Sequence, residues 1–220
     1  MARPREFEES AALDAVTECF WRRGFEASSV RELMEETGLT AASLYNAFGD
    51  KQALYRQALD HYVERSIADR IRRCEQLKPR IALEAFFTEI LKRSHSDREH
   101  RGCLLVNAAL EVAPADRAFQ RIIAAVLTGI EEFFLRCIER GQADGTISRS
   151  RAARELARHF LGVLMGVRVL ARVRPERAVL EGVVLPALGL LDPQEAARAL
   201  ESKRPRVRRR SASGKTARGR

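Results

Sequence analysis

Residues 29–48, SVRELMEETGLTAASLYNAF, constrain the fold more tightly than any other stretch of this chain. They spell two short helices joined by a tight turn. Ser29 stands where a first helix needs an amino-terminal cap, and Glu32 stands at the reciprocal position of a capping box. Val30, Leu33 and Thr37 follow at helical spacing and supply one buried stripe. Gly38 falls where a helix ends in a left-handed conformation, which glycine adopts without a Cβ clash. Thr40 caps the next helix, whose buried stripe is Leu44 and Phe48. The first and second helices therefore share an apolar inside, while the second keeps another face outward.

Helical periodicity extends over almost the whole sequence, and no segment alternates like a strand for long, so the expected fold class is all-α. A first helix is predicted over 6–23, with Leu13, Val16 and Phe20 on one face and Gly24 as its stop. Asp50 caps a long helix from 51 to about 76. Pro79 marks a boundary before an amphipathic helix over 81–94, and SHSDREHRG reads as a loop. A short apolar helix over 103–112 is broken by Pro114. Asp116 opens a helix to about Arg140, followed by a GQADG turn. Helices are then expected over 149–173 and 176–191, the latter kinked at Pro186, with a last turn or two over 193–201. The domains are set at 4–64 for a helix-turn-helix unit, 65–201 for a larger helical unit and 202–220 for a disordered basic tail.

The outward face of the second motif helix carries Ala41, Ala42, Ser43, Tyr45 and Asn46. These side chains are small, or polar with a flat reach, which lets a helix approach base-pair edges in the major groove. The same spacing also fits a plain helical hairpin inside a bundle. Charge does not decide the matter. The formal net charge of +9 lies in residues 202–220, which hold nine Lys/Arg and no acid, and the remainder is balanced at 30 basic and 30 acidic residues. Residues 1–56 carry seven Lys/Arg and ten Asp/Glu. A DNA-reading unit then requires its bases and acids on separate faces, with Arg31, Lys51 and Arg56 toward the nucleic acid and Glu8, Glu9, Asp14 and Glu18 behind. The tail either adds salt-sensitive, sequence-independent DNA affinity or serves as a solubilising terminus.

The run Phe20-Trp-Arg-Arg-Gly24-Phe25, then Ser28-Ser29-Val30, Thr37-Gly38-Leu39 and Ser43-Leu44-Tyr45, with Phe48, Lys51 and Leu54, resembles the DNA-binding domain of TetR-family transcriptional regulators. The resemblance covers about residues 5–60. The family pattern has His or Tyr at the place of Ala47, which leaves one expected phosphate contact without its usual side chain. The resemblance implies a ligand-responsive regulator, most often a repressor, that binds a near-palindromic operator in double-stranded DNA as a homodimer and is released by a small, apolar effector. It implies phosphate contacts from Tyr45 and Lys51, and from Thr40 a contact to phosphate or a base edge. Ser43 and Asn46 are the candidates for base edges, with a solvated role open for Asn46. Ser29 either donates to a phosphate or acts as a cap alone.

An effector pocket is expected among Phe86, Phe87, Ile90, Leu104, Leu105, Asn107, Ile123, Leu127, Ile130, Phe134, His159, Val163 and Arg168, most of which serve equally well as core. Asn107 and His159 stand out because each lies in an apolar run, where a buried polar group needs a partner. Gly162 and Gly166, four apart, permit close helix approach, and with Leu180, Val184 and Leu188 they make the expected dimer face. Intramolecular packing of these helices is the alternative. Cys103 heads a helix near Arg98 and Arg101, a setting that favours thiolate, so a redox sensor is a further option beside a small buried residue. The four separated cysteines read as reduced thiols, not a disulfide framework. His95 and His100 lack metal-ligand spacing, and neither metal nor cofactor is expected. The start lacks a secretory pattern and no run reaches the length of a membrane span, so a cytoplasmic location is expected. No nucleophile with a base, phosphate loop or paired carboxylates points to an enzyme.

Overall fold

The computed structural model describes residues 3–193. Within that span it consists of helices α1 (Arg3–Arg23), α2 (Val30–Thr37), α3 (Ala41–Phe48), α4 (Lys51–Tyr62), a π-helical turn (Val63–Ala68), α5 (Asp69–Glu75), α6 (Pro79–Ser96), α7 (Leu104–Glu111), α8 (Arg117–Ala143), α9 (Ala153–Val173) and α10 (Arg177–Gly189). The described residues contain no strand. The expected turn over 193–201 and the basic tail lie beyond the described residues.

Local chemistry sets most boundaries. α1 ends at Gly24, which has φ +90° and whose N–H donates to the Phe20 carbonyl at 2.8 Å. Asp50 caps α4 by accepting from the Ala53 N–H at 2.8 Å, and Asp116 caps α8 through the N–H groups of Ala118 and Phe119 at 2.7 and 3.2 Å. Pro79, expected to mark a boundary, opens α6 at its first position, two residues before the expected start. There a missing N–H costs nothing, because the first turn's donors have no intrahelical acceptor. The long helix expected from 51 to about 76 is continuous in chain direction but interrupted by the π turn, which periodicity does not reveal. Pro186 lies inside α10.

Two apolar layers meet along α4. Near the amino terminus, Val16 and Phe20 of α1 pack with Leu33, Leu44, Leu54 and Tyr55, all fully buried. Farther on, Phe86 and Phe87 of α6, Phe133 and Phe134 of α8 and Phe160 of α9 form one aromatic cluster. Phe86 meets Phe134 edge-on at 5.1 Å, and Phe87 stacks on Phe134 at 5.7 Å. Burying each such side chain stabilises the fold by about 1.5–3 kcal/mol. Tyr62 and Ile67, at the junction of the layers, are both 6 % exposed.

Candidate nucleic-acid interface and interior cavity

The capping box is formed in full. The Ser29 Oγ accepts from the Glu32 N–H at 3.3 Å, and the Glu32 carboxylate accepts from the Ser29 N–H at 2.8 Å. Gly38 has φ +69°, and its N–H donates to the Met34 carbonyl at 2.8 Å. Thr40 Oγ1 accepts from the Ser43 N–H at 3.2 Å and lies 3.0 Å from the Ser43 hydroxyl. Leu44 and Phe48 turn inward, while Thr40, Ala42, Ser43 and Asn46 are exposed and Ala41 and Tyr45 are half-buried. α3 thus presents a shallow outward strip with hydroxyl and amide groups, seated on a fixed apolar base.

Several charges of the amino-terminal helices are paired, within the motif or with later helices. Arg31 is exposed and pairs with Glu35 at 2.9 Å. Lys51 Nζ lies 4.6 Å from the Phe25 ring centroid and donates to the Glu26 carbonyl at 3.5 Å. Asp14 is taken up by His61 at 2.7 Å and by Arg65, and Glu18 pairs with Arg101 of the second layer. Burial pushes the Asp14 carboxyl up, but hydrogen bonds from His61 and Arg65 outweigh it and hold the pKa below the ordinary value. Asp14 and Glu18 are thus paired with bases of later helices, whereas Glu9, expected behind the motif, borders the same surface cleft as Ser43 and Asn46, together with Glu36, because the start of α1 runs beside α3.

The second layer holds a cavity of about 220 Å³. Its apolar wall includes Ile67, Phe86, Ile90, Leu105, Ile130 and Leu164, and its polar wall includes Arg70, Arg93, Asp97, Arg101, Cys103 and Arg168. Trp21 of α1 and Tyr62 of α4 also line it and meet edge-on at 5.0 Å. Arg168 is 6 % exposed. It donates to the Ser94 hydroxyl at 3.0 Å and to the Gly102 carbonyl. Burial works against the Arg168 cation, yet the neighbouring Cys103 and Tyr62 groups hold its pKa above the ordinary value. The Tyr62 hydroxyl donates to Cys103 Sγ at 3.5 Å.

Of the expected pocket residues, Phe86, Ile90, Leu105, Ile130 and Arg168 line this cavity. Phe87, Leu104, Ile123 and Phe134 are buried outside its wall, and Leu127 and Val163 are half-buried. Two polar assignments need correction. His159 is exposed, because Phe160 takes the inward phase of α9 and sets its neighbour outward. Asn107 is half-buried, and its amide donates to the Arg101 carbonyl at 3.0 Å, so a protein group already satisfies it. Cys103 heads α7 as expected, but Arg101 is paired with Glu18 and Asp97, and Arg98 is exposed. Among the described residues no cluster of His, Cys, Asp and Glu is fit to hold a metal ion.

The expected dimer face also changes. Leu180 is 0 % and Val184 1 % exposed within the single chain, so both are intramolecular core rather than free surface. Leu188 is half-buried. Gly162 and Gly166 do face open space, since a Cβ at either would meet nothing within 4 Å. They continue along α9 into exposed Val169 and Val173, and exposed Leu185 lies on α10.

Sequence reasoning missed the cavity roles of Trp21, Tyr62 and Arg70. Arg70 offered a signal: it occupies an inward phase of the long helix, eight residues after Tyr62. It also missed Glu111, whose carboxylate accepts from the N–H groups of Phe25 and Glu26 at 3.1 and 2.9 Å. This clamps the end of α7, which begins beside the cavity, to the loop that precedes α2.

Comparisons with known proteins agree with this architecture. Residues 12–58 match the family described as bacterial regulatory proteins, tetR family, and residues 79–185 match the tetracyclin repressor-like C-terminal domain. A cysteine variant of the TetR family transcriptional regulator CifR, complexed with 26bp double-strand operator DNA, is 33% identical. Its TM-score is 0.73, and the match covers 82% of this chain and 95% of that one. The HTH-type transcriptional repressor ComR of Escherichia coli (strain K12) is 29% identical over 172 residues, covering 77% of this chain and 82% of ComR. The reduced form of E. coli NemR, at 18% identity and a TM-score of 0.76, shares the fold over 84% of this chain and 97% of its own. With the capped helix pair, the outward strip of α3 and a family match over both helical layers, the chain belongs to the TetR family of transcriptional regulators.

Proposed function

We propose that this protein is a ligand-responsive repressor that binds a near-palindromic operator as a homodimer and leaves it when a small molecule enters the interior cavity. The observation that carries the reading is the exposed strip of Thr40, Ser43 and Asn46 on a helix whose opposite face is fully buried. A helix so held can enter a major groove without unfolding anything. In this reading Ser43 and Asn46 meet base edges, while Ser29, Thr40, Tyr45 and Lys51 set the register on phosphates, with Ala41 and Ala42 allowing close approach. Solved relatives described with operator DNA support the same assignment. Two recognition helices about 34 Å apart would meet successive major grooves, and the open stripe Gly162, Gly166, Val169 and Val173 of α9, with Leu185 of α10, is the surface on which two chains would join.

Coupling follows from what touches the cavity. Trp21 belongs to α1, and Arg101 lies over its ring at 4.4 Å while pairing with Glu18 of the same helix. α7 runs from Cys103 at the cavity to Glu111 at the loop before α2. A molecule that pushes on Trp21 or α7 therefore shifts the motif, by an amount limited to its preference between the two arrangements.

The test is fluorescence anisotropy with duplexes from DNA flanking the protein's own gene, titrated with salt and with fractionated cell metabolites. Preferential retention of one duplex and its release by one fraction are expected. Equal affinity for that duplex and random DNA at every salt concentration would instead indicate a constitutive, sequence-independent binder. Glu111→Gln keeps one side-chain oxygen to accept from the loop N–H groups but loses the charge, so operator affinity should fall by no more than about tenfold, the ~1.4 kcal/mol scale of one weakened charge-assisted hydrogen bond. The substitution should also blunt release by the active fraction.

A further inference from the structure

We infer that the interior cavity receives an amphipathic monocarboxylate, with Arg168 holding the carboxylate and the apolar wall holding the hydrocarbon body. This rests on the cavity being the effector site and names the class of effector.

Arg168 is a buried cation with no carboxylate partner among the described residues. Arg168 is 6 % exposed, and its hydrogen bonds go to the Ser94 hydroxyl and the Gly102 carbonyl. The groups acting on its charge are Cys103 and Tyr62, and no described carboxylate pairs with it. A buried cation without a counter-charge is costly, and proteins ordinarily pair it. The other guanidiniums of this wall follow that rule. Arg70, 4 % exposed, pairs with Glu89 at 3.0 Å, Arg93 pairs with the same Glu89 at 3.3 Å, and Arg101 pairs with Glu18 and Asp97. Arg168 is the exception, and it borders the empty space.

A second, independent observation points the same way. Trp21 also lines the cavity, and its buried indole Nε1 has no hydrogen-bond acceptor. An indole N–H only donates, and so does a guanidinium. The wall thus holds one unpartnered buried donor, the indole N–H, and one guanidinium without a carboxylate partner, Arg168, while its one carboxylate, Asp97, is taken up by Arg101; this combination favours anionic oxygen. A carboxylate supplies two oxygens in one plane and suits a guanidinium's fork. Ile67, Phe86, Ile90, Leu105, Ile130 and Leu164 make the remainder apolar, which excludes a small fully hydrated anion and favours an acid with a hydrocarbon tail or ring.

The experiment uses the full chain and isothermal titration calorimetry with two matched pairs: octanoate with 1-octanol, and 3-phenylpropanoate with 3-phenylpropan-1-ol. At least one acid is expected to bind tenfold or more tightly than its alcohol, and Arg168→Met should bring that ratio close to one. If the variant does not fold, the wild-type ratio decides alone. Alcohols that bind as well as or better than both acids would overturn the inference. Failure of both acids to bind would overturn it too. Operator release, followed separately by anisotropy, distinguishes this from the underlying reading. Selective acid binding without release would leave the Arg168 site standing and remove its effector role. Release by neutral compounds alone would do the reverse.

Discussion

Ser29 and Thr40 each perform a local task that the sequence states openly, because a cap and its N–H lie within three residues of one another. The observed bonds from Ser29 to Glu32 and from Thr40 to Ser43 are the ones the spacing predicts. Removing such a cap typically costs about 1 kcal/mol. Ser29→Ala should therefore lower stability by about that amount in urea unfolding, with an unchanged dependence on denaturant. Residue roles that rest on distant partners were not legible. Glu111 meets residues 85 and 86 positions away, and nothing in the apolar run LLVNAALEV announces that its terminal acid will clamp a loop. His159 misled for a related reason: in a helix with small and apolar residues on several faces, a polar side chain does not reveal its own phase.

At the scale of elements, the amphipathic helices were legible and the apolar ones less so. α2 and α3 have one clear inside, so their buried residues followed from spacing. α10 reads apolar nearly all round, and Leu180 and Val184, expected on an outer face, turn inward against the rest of the chain. The π turn after Tyr62 had no signature in periodicity. One joint between elements carries a pH dependence. Glu89 of α6 holds Arg70 and Arg73 of α5. Burial pushes its carboxyl up, but the two guanidiniums outweigh it and hold the pKa below the ordinary value of 4.5. A depressed folded-state pKa contributes stability that is present above the unfolded value and lost as pH falls through the folded one. Thermal unfolding of Glu89→Gln should accordingly begin lower than wild type at pH 7, and the gap should close as the solution is acidified below about pH 4. A gap that stays constant through that range would assign the difference to packing alone.

On the scale of the whole molecule, tertiary structure pairs Asp14 and Glu18 of α1 with Arg65 and Arg101, while Glu9 and Glu36 stay beside the α3 strip. The proposed assembly adds a second strip at fixed spacing. Leu185, 57 % exposed on α10, is a suitable place to test it, since a change there leaves the core intact. Leu185→Glu should shift the protein from dimer to monomer in light scattering while keeping its helical circular dichroism, and should weaken operator binding at least tenfold. A dimer unaffected by the charge would place the interface elsewhere. Most direct of all is selection of bound duplexes from a random DNA pool by the full-length chain, repeated with a variant carrying Thr40→Ala, Ser43→Ala and Asn46→Ala together. The wild type should enrich one near-palindromic sequence, and the folded triple variant should lose that preference while retaining weak, salt-sensitive binding. Enrichment of the same sequence by both proteins would contradict the assignment of the α3 strip as the reading surface.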